Sequence, residues 1–194
     1  MRLAALAVTL CALTALPSSA APFKASTVPK ERDGVVAQPT IEAAGKKLHL
    51  LGMGLRKKLW FRVYLASLYA EAPTEDAAEL IASDQIKRVQ MNMLRDLERG
   101  KIVEAVQEGF QKNAGPAMPA LQERLDRFLK VIPDLRSGQT IVITYLPGRG
   151  TAIKAGAGEE ITLPGKDFSD ALFSVWLGRQ PVDDELKEEM LRNR

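Results

Sequence analysis

The chain has 194 residues, with 27 basic and 24 acidic side chains and a formal net charge of +3. That length predicts a single domain whose hydrophobic core is large enough to fold without disulfides or metals. The nearly balanced charge and the lack of any RNA- or DNA-binding motif argue against the strongly basic nucleic-acid-binding classes, so no nucleic-acid partner is predicted.

The first twenty residues predict a secretory signal peptide. Arg2 gives a positive start, residues 3–16 form an apolar run, and residues 17–20 are a Pro followed by small residues. The run is shorter than the about 20 residues that a membrane span needs, so we expect cleavage after Ala20, no span afterwards and a periplasmic location in a bacterial double envelope. Cys11, the only cysteine, lies in this segment, so the mature chain would enter an oxidising compartment without a thiol.

The mature chain starts with a polar stretch and then a strand-rich region. Residues 21–34 lack periodicity and predict an extended arm before a domain over residues 35–194. Residues 35–41 predict a first strand, and Pro39 within it favours a sheet edge. Residues 47–71 predict two strands joined by a tight basic turn, because the second half is rich in aromatic and β-branched residues and contains no Gly or Pro.

Alternation divides the second strand of this hairpin into two faces. One face is an apolar row that we predict to lie on the core, made of Leu59, Phe61, Val63 and Leu65. The other face is apolar but carries an arginine and a phenol, and is made of Trp60, Arg62, Tyr64, Ala66 and Leu68. A sheet face of this second kind is typical of the wall of a ligand cleft.

The turn length decides which residues of the first strand share that cleft face. We predict a three-residue turn at residues 57–59, because Lys-Lys is not a pair that two-residue hairpin turns prefer. This turn places Gly52, Gly54 and Arg56 on the face of Tyr64, with the glycines leaving an open floor between Arg56 and Tyr64. A two-residue turn would instead put Arg56 on the opposite face.

The rest of the chain predicts alternating blocks of helices and strands. Thr74 is expected to cap a short helix to Ile81, residues 86–94 alternate as a strand, and residues 102–110 and 121–132 carry apolar stripes at helical spacing. Strands follow at residues 140–145, 151–154 and 160–163, then a helix over residues 168–176 that Gly178 ends, and a last helix from the cap Asp183 to residue 191. This order predicts an α+β domain, an antiparallel β-sheet covered on one face by helices.

His49, the only histidine, does not predict catalysis or metal binding. A Ser-His-Asp or Cys-His site needs a nucleophile and an orienting acid beside the histidine, and none lies near it in sequence. One His without a mature Cys cannot supply the common zinc ligand sets. We therefore expect a partly exposed strand residue and predict no metal and no cofactor.

Arg56 and Arg62 are unusual because their predicted face is apolar. Removing a guanidinium from water costs several kcal/mol unless it is paired, and no acid precedes Glu71 in the hairpin. One resolution is an anionic ligand, since Arg holds a carboxylate through two bonds and Tyr can add a third. The other is an acidic side chain from elsewhere, such as Asp96, Glu98 or Glu104, and the residues alone leave both open.

The hairpin resembles a known family. Its Gly-x-Gly-x-Arg segment, short turn and aromatic strand ending in Leu68-Tyr69-Ala70-Glu71 are similar to the chalcone isomerase-like family, and the resemblance extends over about residues 38–191. It implies the same sheet covered by helices. In the fatty-acid-binding members, an Arg after the Gly-x-Gly and a Tyr on the next strand hold the carboxylate, and the matching positions here are Arg56 and Tyr64.

The enzymatic members of that family imply a polar set that this sequence lacks. They use the same Arg with a strand Thr, a helix Tyr and polar Asn and Thr side chains, whereas Tyr64 replaces the Thr and the best-matching helix positions are Ile102, Gly109 and Val175. Stabilising an oxyanion requires placed hydrogen-bond donors. The resemblance therefore favours a non-catalytic binder over a lyase.

Three hypotheses follow from the sequence. The favoured one is a secreted, non-catalytic binder of a fatty acid or similar amphipathic carboxylate; the others are an intramolecular lyase of the chalcone isomerase type and a ligand-free interaction module of the envelope. The residues predicted to bind the ligand are Arg56, Tyr64, Gly52, Gly54, Trp60 and Arg62.

Overall fold

The computed structural model describes residues 26–192, so the predicted signal peptide lies outside the described residues. The strands are β1 (Lys30–Arg32), β2 (Val35–Ala37), β3 (Thr40–Ala43), β4 (Lys46–Lys58), β5 (Phe61–Ala70), β6 (Lys87–Met93), β7 (Thr140–Leu146), β8 (Gly150–Ala155) and β9 (Ile161–Leu163). The helices are α1 (Ala77–Ala82), α2 (Arg99–Ala114), α3 (Met118–Lys130), α4 (Lys166–Leu177) and α5 (Asp184–Leu191).

The main sheet is an antiparallel meander of seven strands, β3 to β9 in sequence order. Helical side chains from α1 to α5 all join the larger core cluster, whereas the smaller cluster contains no helical residue, so the helices cover one face of the sheet. The predicted fold class, an antiparallel sheet covered on one face by helices, is confirmed. Among residues 26–192, no helix is both long and apolar enough to cross a membrane.

The central strands and helices follow the predicted periodicities. Alternate residues of β6 and β7 enter the larger cluster, where they meet the apolar stripes of α2, α3 and α4. Asp183 caps α5 as predicted, accepting from the Leu186 N–H at 3.1 Å, and Gly178 follows α4. The cap of α1 is Asp76 instead of Thr74, because the Asp76 carboxylate accepts from the first-turn N–H groups.

The N-terminal region is more ordered than predicted. Strand β1 pairs with β2 across a turn at Asp33 and Gly34, whose φ angles are 54° and 76°. This hairpin begins inside the stretch that we predicted as an irregular arm. The predicted strand over residues 35–41 is divided into β2 and β3, and Pro39 lies in the break between them, where its missing N–H costs no ladder hydrogen bond.

The hairpin of β4 and β5 turns at Leu59 and Trp60, so the predicted turn at residues 57–59 is wrong. Its register also shifts, because Arg56 pairs with Tyr64 while Lys57 pairs with Arg62. One residue of β5, Val63, is therefore extra in a β-bulge.

The observed turn has two residues where three were predicted, and the extra residue Val63 of the bulge makes up the difference. Arg56 and Tyr64 consequently share a face, as predicted, although by a different route. Arg62 lies before the bulge and pairs with Lys57, which places it on the opposite face from Tyr64. The prediction that Arg62 shares the face of Tyr64 is wrong.

The predicted core row of β5 is wrong at its turn end and confirmed at Leu65. Leu59 and Phe61 are exposed at the hairpin turn, and Leu65 is buried in the smaller cluster on the face away from the helices. The helices cover the face that carries Ala66 and Leu68. The layer of helices therefore packs on the side predicted as the cleft wall, and any cleft must lie between the sheet and the helices.

Candidate functional site

A cavity of about 500 Å³ lies between the sheet and the helices. This volume is within the range of roughly 300–1,000 Å³ that small-molecule sites occupy. The buried part of its lining is apolar or aromatic, and consists of Met91, Met93, Ile102, Val106, Phe128, Ile141, Val175 and Trp176. Such a lining suits a hydrocarbon chain.

The cavity opens at one end of the sheet. All exposed residues of its lining belong to the β4–β5 turn region, to the segment leading into α2 or to the first turn of α2, and they are Lys58, Leu59, Phe61, Arg95, Asp96, Glu98 and Lys101. The Arg95 guanidinium stacks over the Phe61 ring, 4.5 Å from its centroid. The mouth therefore carries charges of both signs, and the interior is apolar.

Arg56 and Tyr64 both line the cavity, as cross-strand neighbours on β4 and β5. The Tyr64 hydroxyl oxygen accepts a hydrogen bond from Trp176 Nε1 at 3.1 Å. Because an indole N–H can only donate, the Tyr64 O–H remains able to donate to a ligand. Burial raises the pKa of Tyr64 to about 12, against smaller opposing effects of Trp176 and Arg56, so the phenol keeps its proton at neutral pH.

Arg56 is held by the protein through one of its nitrogens. Its Nη1 donates to Asp183 Oδ2 at 2.8 Å and to the Lys57 carbonyl. Its Nε and Nη2 make no hydrogen bond within residues 26–192, which leaves donors for a carboxylate. The acid that pairs with Arg56 is thus Asp183, and not one of the acids that the sequence suggested.

Gly52 and Gly54 lie under helix α5 and do not line the cavity. A Cβ atom on Gly52 would lie 2.3 Å from the Glu189 carbonyl oxygen, and one on Gly54 would lie 2.6 Å from the Leu186 carbonyl oxygen. The expected open floor between Arg56 and Tyr64 is therefore wrong. The glycines instead let α5 approach β4 closely, and the cap of α5 is the Asp183 that holds Arg56.

Trp60 and Arg62 also lie outside the cavity lining. Trp60 is 79% exposed at the hairpin turn. Arg62 forms an ion pair with Asp33 of the β1–β2 turn, on the other face of the sheet. Of the six predicted ligand-binding residues, the structure brings only Arg56 and Tyr64 together at the cavity.

The positions matched to the polar set of the enzymes are apolar in the cavity. Ile102 and Val175 line it, and Gly109 lies close to Val175, where a Cβ would be 2.8 Å from Val175 Cγ1. These side chains supply no donor for an oxyanion. His49 is a half-buried residue of β4 opposite Thr40, and residues 26–192 contain no cluster of three or more His, Cys, Asp or Glu that could hold a metal ion.

Sequence reasoning missed two residues that shape the site, Trp176 and Asp183. Trp176 belongs to an apolar stripe that predicts core packing, and helical spacing does not distinguish a core residue from one that lines a cavity. The sequence predicted Asp183 as a helix cap. It did not predict the ion pair with Arg56, because the two residues are 127 positions apart in the chain. No local signal would have shown it.

Comparisons with known proteins identify the fold and the family of the chain. The crystal structure of a fatty-acid binding protein from Arabidopsis thaliana is similar, with a TM-score of 0.63 and 19% sequence identity over 82% of this chain and 92% of that one. This likeness shows the fold. No curated protein matches the chain significantly. A family model described as chalcone isomerase-like matches residues 29–192, and the chain belongs to the chalcone isomerase-like family.

Proposed function

We propose that this protein is a non-catalytic binder of a fatty acid or a similar amphipathic carboxylate. The observation that carries the proposal is an apolar cavity with two hydrogen-bond donors, the Arg56 guanidinium and the Tyr64 hydroxyl, side by side on one wall. The fatty-acid binding activity in the name of the Arabidopsis neighbour supports the same ligand class.

The two parts of the cavity would contribute differently to binding. Each buried CH₂ group of an acyl chain stabilises the complex by about 0.8 kcal/mol, so the apolar interior would supply most of the affinity. The free Nε and Nη2 of Arg56 and the Tyr64 O–H would fix the orientation of the head group and select a carboxylate. Tyr64 can do this at neutral pH because it remains protonated.

The most specific test measures how the carboxylate head group and the acyl chain of the ligand each contribute to affinity. We expect delipidated protein to bind palmitate about tenfold more tightly than hexadecanol, because charge-assisted hydrogen bonds contribute about 1.5–3 kcal/mol. Arg56→Gln should remove this preference and leave hexadecanol affinity unchanged. Calorimetric titration of both ligands measures this, and equal affinities of the wild-type protein for the two ligands would refute the carboxylate assignment.

We also propose that the protein acts outside the cytoplasm, in the periplasm of a double-membraned cell. The charged start, apolar run and small residues of positions 1–20 support this. The exported protein is expected to begin at Ala21, which its intact mass would show. A cytoplasmic protein that retains Met1 would contradict secretion without affecting the ligand proposal.

A further inference from the structure

The β4–β5 turn exposes three large apolar side chains in succession. Leu59 is 76% exposed, Trp60 79% and Phe61 45%, and the only other large apolar side chains that are exposed within residues 26–192 are Val28 and Val36. Leu59 also has a φ of 57°, a conformation for which turns usually recruit Gly, Asn or Asp. Three adjacent apolar side chains at a turn in water indicate a surface that is covered by a partner.

Basic residues surround this apolar tip. The segment from Arg56 to Arg62 contains four basic residues, three large apolar residues and no acid, and Arg95 stacks on Phe61 from the neighbouring loop. Three of the four pair with an acid, since Arg56, Lys57 and Arg62 form ion pairs with Asp183, Glu185 and Asp33. Lys58 and Arg95 make no ion pair within residues 26–192. The tip therefore presents apolar side chains beside two exposed basic side chains, Lys58 and Arg95, that no acid of the described residues pairs.

The tip also lies at the mouth of the cavity. Lys58, Leu59 and Phe61 belong to the exposed part of the cavity lining, whereas the buried lining continues inward to Trp176. A surface in contact with the tip would face the open end of the cavity. An apolar ligand could then enter or leave without crossing bulk water.

We propose that this tip docks onto the surface of an anionic lipid bilayer. Trp60 and its apolar neighbours insert at the level of the head groups, where Trp side chains concentrate, and Lys58 and Arg95 contact anionic lipids. Together they hold the cavity mouth against the bilayer. The bilayer is thus both the partner of the tip and the source or destination of the cavity's ligand.

Vesicle binding tests the docking step independently of fatty-acid binding. We expect the protein to bind phosphatidylcholine vesicles containing phosphatidylglycerol at least about tenfold more tightly than pure phosphatidylcholine vesicles, and we expect added salt to remove the difference. Binding should shift tryptophan emission to shorter wavelength. The signal would come from Trp60, because Trp176, the only other tryptophan, is already buried.

Trp60→Ser should weaken vesicle binding about tenfold. The matched control is Val28→Ser, which removes an apolar side chain of similar exposure away from the tip and should leave vesicle binding unchanged. Palmitate affinity should be the same in both variants, since neither residue lines the cavity, and this also verifies that they fold.

Three results would overturn the proposal: no binding to anionic vesicles, equal losses in Trp60→Ser and Val28→Ser, or self-association of the wild-type protein that Trp60→Ser abolishes. The last result, seen by sedimentation velocity, would assign the tip to a second copy of the chain. If the protein binds anionic vesicles but shows no preference for palmitate over hexadecanol, the fatty-acid proposal is refuted and the docking proposal is not affected.

Discussion

Replacing Gly52 by alanine is expected to lower the free energy of unfolding by about 3 kcal/mol or more. The new Cβ would lie 2.3 Å from the Glu189 carbonyl oxygen and 2.8 Å from that of Met190. Both are backbone atoms of α5, so no side-chain rotation can relieve the overlap. Helix α5 would have to leave β4, exposing Leu186, Met190 and the rest of its buried face.

Urea unfolding of the variant measures this loss. The control is Gly100→Ala, since nothing lies within 4 Å of a Cβ at that position and its backbone is not left-handed; alanine there should be neutral or slightly stabilising within α2. A Gly52→Ala protein as stable as Gly100→Ala would show that α5 does not pack on β4 as described.

Replacing Lys87 by methionine is expected to cost about 3 kcal/mol at pH 7. This side chain is fully buried, and its ammonium group donates to the carbonyl oxygens of Leu80, Ile81 and Ser83 at 3.0, 2.5 and 3.0 Å. These carbonyls end helix α1, and methionine has no donor for them. Lys154→Met, at an exposed position of β8, is the control and should change stability by less than about 0.5 kcal/mol.

Lys87 also predicts how stability depends on pH. Burial lowers the pKa of Lys87 from 10.5 to about 8, against the raising effect of Asp170. Between these two values the unfolded chain binds the proton and the folded chain does not, so the contribution of Lys87 to stability rises with pH, by about 2 kcal/mol between pH 8 and 10. Above pH 10 the trend reverses, because the pKa values of Tyr64, Tyr69 and Tyr145 are raised to about 12 in the folded protein.

Urea midpoints of the wild-type protein and Lys87→Met across that range measure the effect. The difference between the two proteins isolates Lys87 from Lys30, whose pKa is also lowered by burial. Parallel pH profiles of the two proteins would contradict a lowered pKa of Lys87 in the folded protein.

The sequence predicts the fold because the fold follows from local patterns. The alternation of β6 and the apolar stripes of α2, α3 and α4 each repeat within a few residues and are reproduced in the structure. The family resemblance depends on the β4–β5 hairpin, which is also local. These features required no knowledge of which elements meet in space.

The errors in the predicted site have long-range causes. A bulge at Val63 separates Arg62 from Tyr64, and alternation alone cannot show such an insertion. The glycines of β4 suggested an empty floor because their partner, α5, lies more than 130 positions further along the chain. The same helix carries Asp183 to Arg56, so one unpredicted contact accounts for both the glycines and the ion pair.

The ion pair between Arg56 and Asp183 sets the chemistry of the site. It reduces the cost of holding a guanidinium at an apolar cavity when no ligand is bound. A ligand carboxylate would share Arg56 with Asp183 and be repelled by it at the same time. Selectivity for a carboxylate should therefore increase when the charge of Asp183 is removed and disappear when that of Arg56 is removed.

The most direct measurement is the palmitate affinity of the wild-type protein, Arg56→Gln and Asp183→Asn, with hexadecanol as the uncharged ligand. Asparagine keeps the cap of α5 and frees Arg56, so we expect Asp183→Asn to bind palmitate about threefold to tenfold more tightly and Arg56→Gln about tenfold more weakly, with hexadecanol affinity constant throughout. Palmitate affinities that are equal in all three proteins would contradict a carboxylate site at Arg56.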